Sequence, residues 1–305
     1  MATPNTLEKA IWLKLLGMFA GPWPVLGNVF FVNGLTGNNL NDGLTPATAW
    51  ATITYALTQC VNDNDDCIVV VDHWQETVAI NVTRVHIIGM PANPNHSFVQ
   101  MNAAANTAIF TVTAASNNCE IAGFSFGGGA AHAAIENVGG TPMGLYIHDC
   151  QFGHSFAGNT PQDGILIDNN ATNIRIERCS FYGNAAGGTL TRDGIHWDSG
   201  GDPLNGTIID NQFLGCPGAG INFVVVALNT GGITIKDNVF ACDADTQGSA
   251  ITLGATCAGF LVSGNKALYG DVTAAMLNNP YLDQAAAFNN HWMANFKGNA
   301  LVDPA

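Results

Sequence analysis

A repeat of about 27 residues runs through the middle of the chain and limits the available folds more than any other feature. Six segments align on one recurring position, and they read CEIAGFSF (119–126), LYIHDCQF (145–152), IRIERCSF (174–181), TIIDNQF (207–213), TIKDNVF (234–240) and FLVSGNKA (260–267). The aligned residues are separated by 26, 29, 32, 27 and 27 positions, and they are Phe126, Phe152, Phe181, Phe213, Phe240 and Ala267. Each unit therefore corresponds to one coil of a repeating structure.

A second series of short segments lies between these units. They read AAIENV (133–138), DGILID (163–168), DGIHWD (193–198), AGINFV (219–224) and SAITLG (249–254). Apolar residues alternate within them, as in Ile165 and Ile167, so one face of each strand is buried and the other faces solvent. Short strands without helices between them exclude α/β repeats. The pattern predicts an all-β fold, a parallel β-solenoid in which each coil covers the apolar face of the previous one.

One column of polar residues precedes the aligned aromatic position. Asn211, Asn238 and Asn265 occupy it in successive coils, and Cys150 and Cys179 share the register. Stacked asparagine side chains can bond to each other and to the turn backbone, while a buried cysteine fills the position as a small inert side chain. We predict that this column is structural.

The segment VFFVNGLTGNNLNDGLTPATAWATITYAL (29–57) carries a family resemblance. The positions that match are Gly37, Asn39, Asn41, Gly43, Pro46, Trp50, Thr52, Ile53, Ala56 and Leu57. The segment resembles the opening of right-handed parallel β-helix proteins of the pectate-lyase-like superfamily, with Asn39 where an Asp is usual. The resemblance covers about residues 28–270, and it implies that this segment caps the first coil of a right-handed β-helix.

The two ends of the chain are predicted to differ from the coils. Residues 1–27 are expected to form an N-terminal helix over 5–19 and a linker, either packed on its own domain or docking another subunit. The apolar run from Ala10 to Ala20 contains Lys14, so it makes a poor signal peptide and is too short to span a membrane. Residues 28–270 form the predicted solenoid. Residues 271–305 are predicted to cap the last coil or to contact another subunit.

Composition excludes two classes of protein. Lys and Arg number 9 against 23 Asp and Glu, a net charge of −14, which is incompatible with a basic nucleic-acid-binding face. A hydrophobic content of 47% excludes a disordered chain.

None of the 8 cysteines has zinc-site spacing. Cys60 and Cys67 flank a loop, and either a disulfide or a reduced pair is compatible with it. Neither a cofactor nor a metal is predicted.

The best candidate for a catalytic site is the segment TRDGIHWDSGGD (191–202). Strand alternation places Gly194, His196 and Asp198 on one side and Asp193, Ile195 and Trp197 on the other. One coil earlier, Asp163 and Asp168 are expected to stack on Asp193 and Asp198, and stacked carboxylates can create a general acid. If the protein is an enzyme, the catalytic residues are Asp168, His196 and Asp198; otherwise these are turn and strand-end residues. The other histidines, among them His148 and His154, are predicted to lie on the surface.

The resemblance leaves function open, because the related proteins include polysaccharide lyases, glycoside hydrolases, phage tailspikes and capsid or tail components without catalysis. The chain has no G-H-G segment, and Arg175-Ile176-Glu177 stands where the hydrolases have R-I-K.

We predict a non-enzymatic structural protein of an assembly, a phage virion component such as a capsid decoration protein or fibre or spike subunit. It is expected to be a homotrimer that contacts other virion proteins, made in the cytoplasm without a signal peptide, with no nucleic-acid partner and no membrane span. The alternatives are a polysaccharide lyase or glycoside hydrolase acting on a surface glycan, and a carbohydrate-binding solenoid with Trp197 or Tyr182 as sugar platforms.

Overall fold

The computed structural model describes most of the chain from residue 27 onward. The described residues are 27–72, 74–91, 97–103, 106–127, 131–137, 139–140, 142–153, 161–168, 170–183, 190–198, 203–224, 231–242, 248–269, 280–285, 289–297 and 300–301. The helix predicted over residues 5–19, and His154, lie outside them.

Three long sheets run side by side along the molecule, and each coil adds one strand to each sheet. Sheet I contains Val29–Val32, Asp66–Val70, Val85–Gly89, Glu120–Ala122, Tyr146–His148, Arg175–Glu177, Pro203–Ile209, Gly231–Lys236, Phe260–Ser263 and His291–Met293, with Ala171–Thr172 beside Pro203–Ile209. Sheet II contains Val78–Ile80, Phe110–Val112, Ile135–Asn137, Ile165–Ile167, Ile195–Trp197, Ile221–Phe223, Ile251–Leu253 and Tyr281–Asp283. Sheet III contains Trp74–Gln75, Val99–Asn102, Phe124–Phe126, Gln151–Phe152, Ser180–Tyr182, Gln212–Leu214, Val239–Cys242, Lys266–Tyr269, Phe296–Lys297 and Ala300–Leu301. The predicted all-β fold, a parallel β-solenoid, is confirmed.

The aligned aromatic residues form a continuous stack inside the solenoid. Phe152, Phe181, Phe213 and Phe240 face one another with ring centroids 4.6–4.8 Å apart and interplanar angles of 5–9°. This spacing matches the distance between neighbouring strands, so each ring lies directly on the ring of the previous coil. The register predicted from the repeat is therefore the register of the sheet.

A turn with a positive φ angle recurs at the corner between sheets I and III. The residue that follows the sheet I strand has a positive φ in seven successive coils, at Gly123, Asp149, Arg178, Asp210, Asp237, Gly264 and Ala294. The chain turns there, and the next residue points into the corner. Nδ2 of Asn211 donates to Oδ1 of Asn238 at 3.0 Å, and Nδ2 of Asn238 donates to Oδ1 of Asn265 at 3.0 Å. The predicted column is confirmed, and Asn295 extends it by one coil.

The segment between the first two strands of sheet I packs a short helix against the core. Oδ1 of Asn39 accepts hydrogen bonds from the backbone amides of Ala51 and Thr52, and Thr52 caps the helix by accepting from the amide of Tyr55. A 3-10 helix spans Pro46–Thr48 and an α-helix spans Ile53–Gln59. The helix therefore begins where the sequence motif places it. None of the described helices has the length and apolarity that crossing a membrane requires.

The coil pattern continues past residue 270. Strands Tyr281–Asp283, His291–Met293 and Phe296–Lys297 add to sheets II, I and III, and Ala300–Leu301 then turns back antiparallel to Phe296–Lys297. At the other end, Cys60 and Cys67 are both free thiols, so the reduced pair is the form present.

Candidate functional site

The sequence-predicted catalytic residues lie at one edge of sheet II. The amide of Asp198 donates to the carbonyl of Ile167 at 2.9 Å, so Asp168 and Asp198 follow paired positions in adjacent coils. Asp168 is exposed, Asp198 is half-buried and His196 is buried. Nδ1 of His196 lies 2.5 Å from Oδ2 of Asp193.

Asp193 reaches His196 because it lies in the bend before strand Ile195–Trp197 rather than within the strand. The same carboxylate accepts from the amide of Ala219 at 2.5 Å and from Nδ2 of Asn222 at 3.1 Å. The Asp193 carboxylate therefore links His196 of its own coil to Ala219 and Asn222 of the next coil.

Asp163 stacks on Asp193 from the preceding coil, and its carboxylate oxygens also accept hydrogen bonds from the protein. Oδ1 of Asp163 accepts from the amide of Asp193 at 3.0 Å, and Arg192 binds both of its oxygens at 2.9 and 2.5 Å. The guanidinium and the backbone amide offset the repulsion between the two buried carboxylates.

These residues also form a group with metal-site spacing, since Asp163, Asp193 and His196 have ligand atoms within 4.8 Å of one another. A divalent cation there would have to displace the guanidinium of Arg192 and the hydrogen bonds to backbone amides. The donor set is already used by the protein, so the cluster fits a structural corner better than a metal centre.

A larger charged cluster covers the outer face of sheet I. His86, Glu120, Tyr146 and Arg175 occupy one register column, and the core isoleucines alternate with them on the inner face. Oε2 of Glu120 lies 2.5 Å from Nδ1 of His86, and Oε1 lies 2.6 Å from Nε2 of His148. One buried carboxylate thus joins two buried imidazoles from different coils.

The cluster continues from His148 into the next coil. Nδ1 of His148 lies 2.6 Å from Asp149, which also binds Arg178 at 2.8 and 2.9 Å. The rings of Tyr146 and His148 stack with centroids 4.1 Å apart.

Glu177 holds the far end of the same cluster. Its carboxylate accepts from the hydroxyl of Tyr146, from Arg178, and from Nε of Arg175 at 2.6 Å. From His86 to Glu177, the cluster is a network of charged side chains that spans four successive strands of sheet I.

Burial and pairing set the protonation of this network. Burial alone would raise the pKa of Glu120, but hydrogen bonds from His148 and His86 outweigh it and lower that pKa to about 2. Burial would lower the pKa of His148, but Asp149 and Glu120 raise it to about 9. Burial and the Glu177 carboxylate raise the pKa of Tyr146 to about 12. At neutral pH, Glu120 is an anion and His148 a cation, so neither exchanges a proton readily.

A groove of about 760 Å³ opens beside this column. Charged and polar side chains of both signs line it, including Asp65, Arg84, His86, Glu120 and Arg175. His86 is 3% exposed, and its Nε2 has no hydrogen-bond partner among the described residues. The groove is therefore lined by a histidine whose second ring nitrogen is closed to solvent.

Two sequence-based interpretations are wrong. His148 was expected on the surface, yet it is 0% exposed and holds Glu120 and Asp149. Trp197 was considered as a sugar platform, yet it is 1% exposed and stacks on Phe223 at 5.1 Å inside the solenoid. Its alternation with Ile195 already placed it on the apolar face.

The repeat alignment contains a signal for the sheet I cluster. Glu120, Tyr146 and Arg175 align in the segments CEIAGFSF, LYIHDCQF and IRIERCSF, and His148 aligns with Glu177 two positions later. Reading the outward positions of these segments down the column, rather than along each strand, identifies the charged face.

No protein-family model, curated protein or solved structure matches the chain. The fold defines the class, a parallel β-solenoid, and its function has to be argued from the side chains.

The raised pKa of His148 predicts a pH-dependent stability. A histidine with a folded-state pKa of about 9 and an ordinary unfolded value near ~6.5 stabilises the fold fully below pH ~6.5, and loses this contribution as the pH rises through about 9. The carboxylates of Glu120 and Asp149, with pKa values lowered to about 2, lose theirs as the pH falls from ~4.5 toward about 2. Urea unfolding from pH 3 to pH 10 should therefore show greatest stability near pH ~4.5–6.5.

His148→Gln serves as the control for this titration, because a glutamine amide can still donate to Glu120 without titrating. The variant should lose the decline between pH ~6.5 and ~9. An unchanged decline would assign it to another group.

Proposed function

We propose that this protein is a non-enzymatic structural subunit of an assembly, of the kind represented by phage virion components such as capsid decoration proteins and fibre or spike subunits. The observation that carries the proposal is the composition of sheet III. The chain has 23 Asp and Glu residues, yet none lies in the ten strands of this sheet. Lys266 and Lys297 are the charged residues of these strands, and a low density of charge is typical of the centre of a protein–protein interface.

The outer face of sheet III also carries an apolar stripe. Tyr182, Leu214, Ala241 and Leu268 pair in register across four coils, pointing away from the phenylalanine stack. Leu268 is 42% exposed and Leu214 is half-buried. A partly exposed apolar stripe that continues over four coils supports association.

The proposed occupant of this stripe is a second copy of the chain. Copies that each carry a net charge of −14 repel one another, so contact requires a face without acidic groups. Copies aligned along their long axes would bring the stripes together around a symmetry axis, and we propose a homotrimer.

The charged clusters support the non-enzymatic part of the proposal. Glu120, His148 and Tyr146 have pKa values far from neutrality. A general acid or base works best with a pKa near the operating pH.

The native mass tests the assembly. Sedimentation of the purified protein should give about 96 kDa, three times the 31.9 kDa chain. Leu214→Glu places a charge in the stripe and should yield monomers, while Thr252→Glu, on the outer face of sheet II, is the matched control and should leave the mass unchanged. A monomeric wild type, or a trimer that survives Leu214→Glu, would contradict the proposed interface.

A polysaccharide assay tests the enzymatic alternative. Incubation with acidic and neutral polysaccharides should release neither reducing ends nor unsaturated sugars. Release by the wild type that is lost in Asp198→Asn would assign catalysis to Asp168, His196 and Asp198 and overturn the non-enzymatic proposal.

A further inference from the structure

The outer face of sheet I is buried over its first strands and exposed over its last ones. The first four outward residues of one register column are each at most 3% exposed, and they are Phe31, Val69, Ile88 and Ala122. Leu261 and Met293 are also apolar and point outward from later strands, yet they are 37% and 56% exposed. The part of the molecule that buries the first strands therefore has a limited length.

The described residues do not account for this burial. The four residues belong to an apolar cluster on the outer face that also contains Cys67, Val71 and Ala49. Apart from Ala49, the described members of the cluster lie on sheet I strands or directly beside them. One alanine is too small to bury the outward side chains of four strands, so a further part of the chain packs on this face.

Residues 1–26 are the long segment outside the described ranges that leads to this face. They end at Gly27, whose amide donates to the carbonyl of Asp65 at 3.3 Å just before the first strand of sheet I, Val29–Val32. Every other stretch outside the described ranges has ten residues or fewer, and the longest before Ala122 is 92–96, which reads ANPNH. A polar stretch of that length cannot supply an apolar cover.

The helix predicted over residues 5–19 fits the face in length and in polarity. Residues 10–19 read AIWLKLLGMF and extend about 15 Å as a helix, while the four apolar strands span about 14 Å. Residues 5–9 read NTLEK, and the same register column continues from Ala122 into the charged residues His148 and Glu177. With the linker 20–26 at the first strand, apolar meets apolar and polar meets charged.

We propose that residues 5–19 form an amphipathic helix that lies across the outer face of sheet I of its own chain, with Ile11, Leu15 and Met18 packed on the first four strands. These three residues recur at the spacing of one helix face. The helix closes this part of sheet I to other molecules. It leaves the stripe on sheet III uncovered, where Leu268 is 42% exposed, and it does not depend on the proposed assembly.

The thiol of Cys67 reports whether the helix is in place. Cys67 belongs to the outer-face cluster and is 0% exposed, and burial raises the pKa of its thiol, so it should react slowly with iodoacetamide. Cys150 and Cys179 are internal controls, because they are buried at the corner between sheets I and III. Peptide mass spectrometry of the labelled full chain gives the rate at each thiol.

Two variants of the full chain test the contact. Leu15→Glu places a charge on the packed side of the helix and should raise the labelling rate of Cys67 at least tenfold. Ala10→Glu is the matched control, because five residues correspond to about 140° around a helix, and it should change the rate less than twofold. Cys150 and Cys179 should stay unlabelled in both variants.

Hydrogen exchange of the wild type needs no variant. The amides of residues 9–19 follow the first turn of the helix and donate within it, so they should exchange at least a hundredfold more slowly than in a free chain. If Leu15→Glu also exposes Cys150 and Cys179, that variant is unfolded and this measurement decides.

Four results would overturn the proposal. These are a wild-type Cys67 that reacts as fast as a free thiol, exchange of residues 9–19 at the free-chain rate, equal effects of Leu15→Glu and Ala10→Glu on a folded chain, and protection of Cys67 that disappears on dilution. The last result would assign the helix to a neighbouring copy.

Discussion

Replacing Asn238 with alanine is expected to lower the free energy of unfolding by about 3–5 kcal/mol. The Asn238 side chain donates to the carbonyl of Ile208 at 2.9 Å and to Oδ1 of Asn265, and it accepts from both the amide and Nδ2 of Asn211. All of these partners are buried in the corner between sheets I and III. Alanine removes the four hydrogen bonds together and leaves their partners unsatisfied.

Urea unfolding measures the loss, and hydrogen exchange locates it. Because each coil contacts only its neighbours, the loss of amide protection should be greatest in the coils that contain Asn211 and Asn265. Asn81→Ala is the control, since Asn81 is exposed and its replacement should change stability by less than about 0.5 kcal/mol. Similar effects of the two substitutions would show that the column contributes little.

Glu120→Gln, a second and separate substitution, is expected to lower the free energy of unfolding by about 3–5 kcal/mol at pH 7. Glu120 is 1% exposed and binds His86 and His148 at once. A neutral amide can accept from one imidazole only and presents its own N–H to the other. The positive charge on His148 then loses a buried anion, and the pKa of His148 should fall from about 9.

Unfolding at pH 7 and NMR titration of His148 measure the two effects. Asp237→Asn is the control, because Asp237 pairs with Lys236 at 3.2 Å and both side chains are about half exposed. Exposed ion pairs contribute ~1 kcal/mol or less, so the control should stay near that value. Equal losses in the two variants, or a His148 pKa that stays at about 9, would show that Glu120 is not the anion that holds the cluster.

The solenoid could be predicted because large aromatic and apolar side chains recur at regular spacing along the chain. A phenylalanine such as Phe213 must lie on its counterpart in the next coil, and the alternation of apolar residues fixes which face of each strand is inward. The asparagine column follows from the same register. These features depend on spacing along the chain, which the sequence shows directly.

The charged clusters were harder to predict because their contacts join coils. Asp149 and Arg178 meet only because both follow a sheet I strand at corners with positive φ, which brings their side chains together across two coils. His196 contacts Asp193 because Asp193 lies in the bend before the strand, where strand alternation does not apply. Nε2 of His86, which is buried without a partner among the described residues, corresponds to no sequence pattern.

The asparagine column makes the coils of this region interchangeable. Each of Asn211, Asn238 and Asn265 offers its neighbour the same donor and the same acceptor. A duplication or deletion of one whole unit would therefore bring matching asparagine donors and acceptors together and leave none of these amides without a partner. The length of such a protein can thus change in steps of one strand spacing, about 4.8 Å along the axis, while the hydrogen bonds of the column are kept.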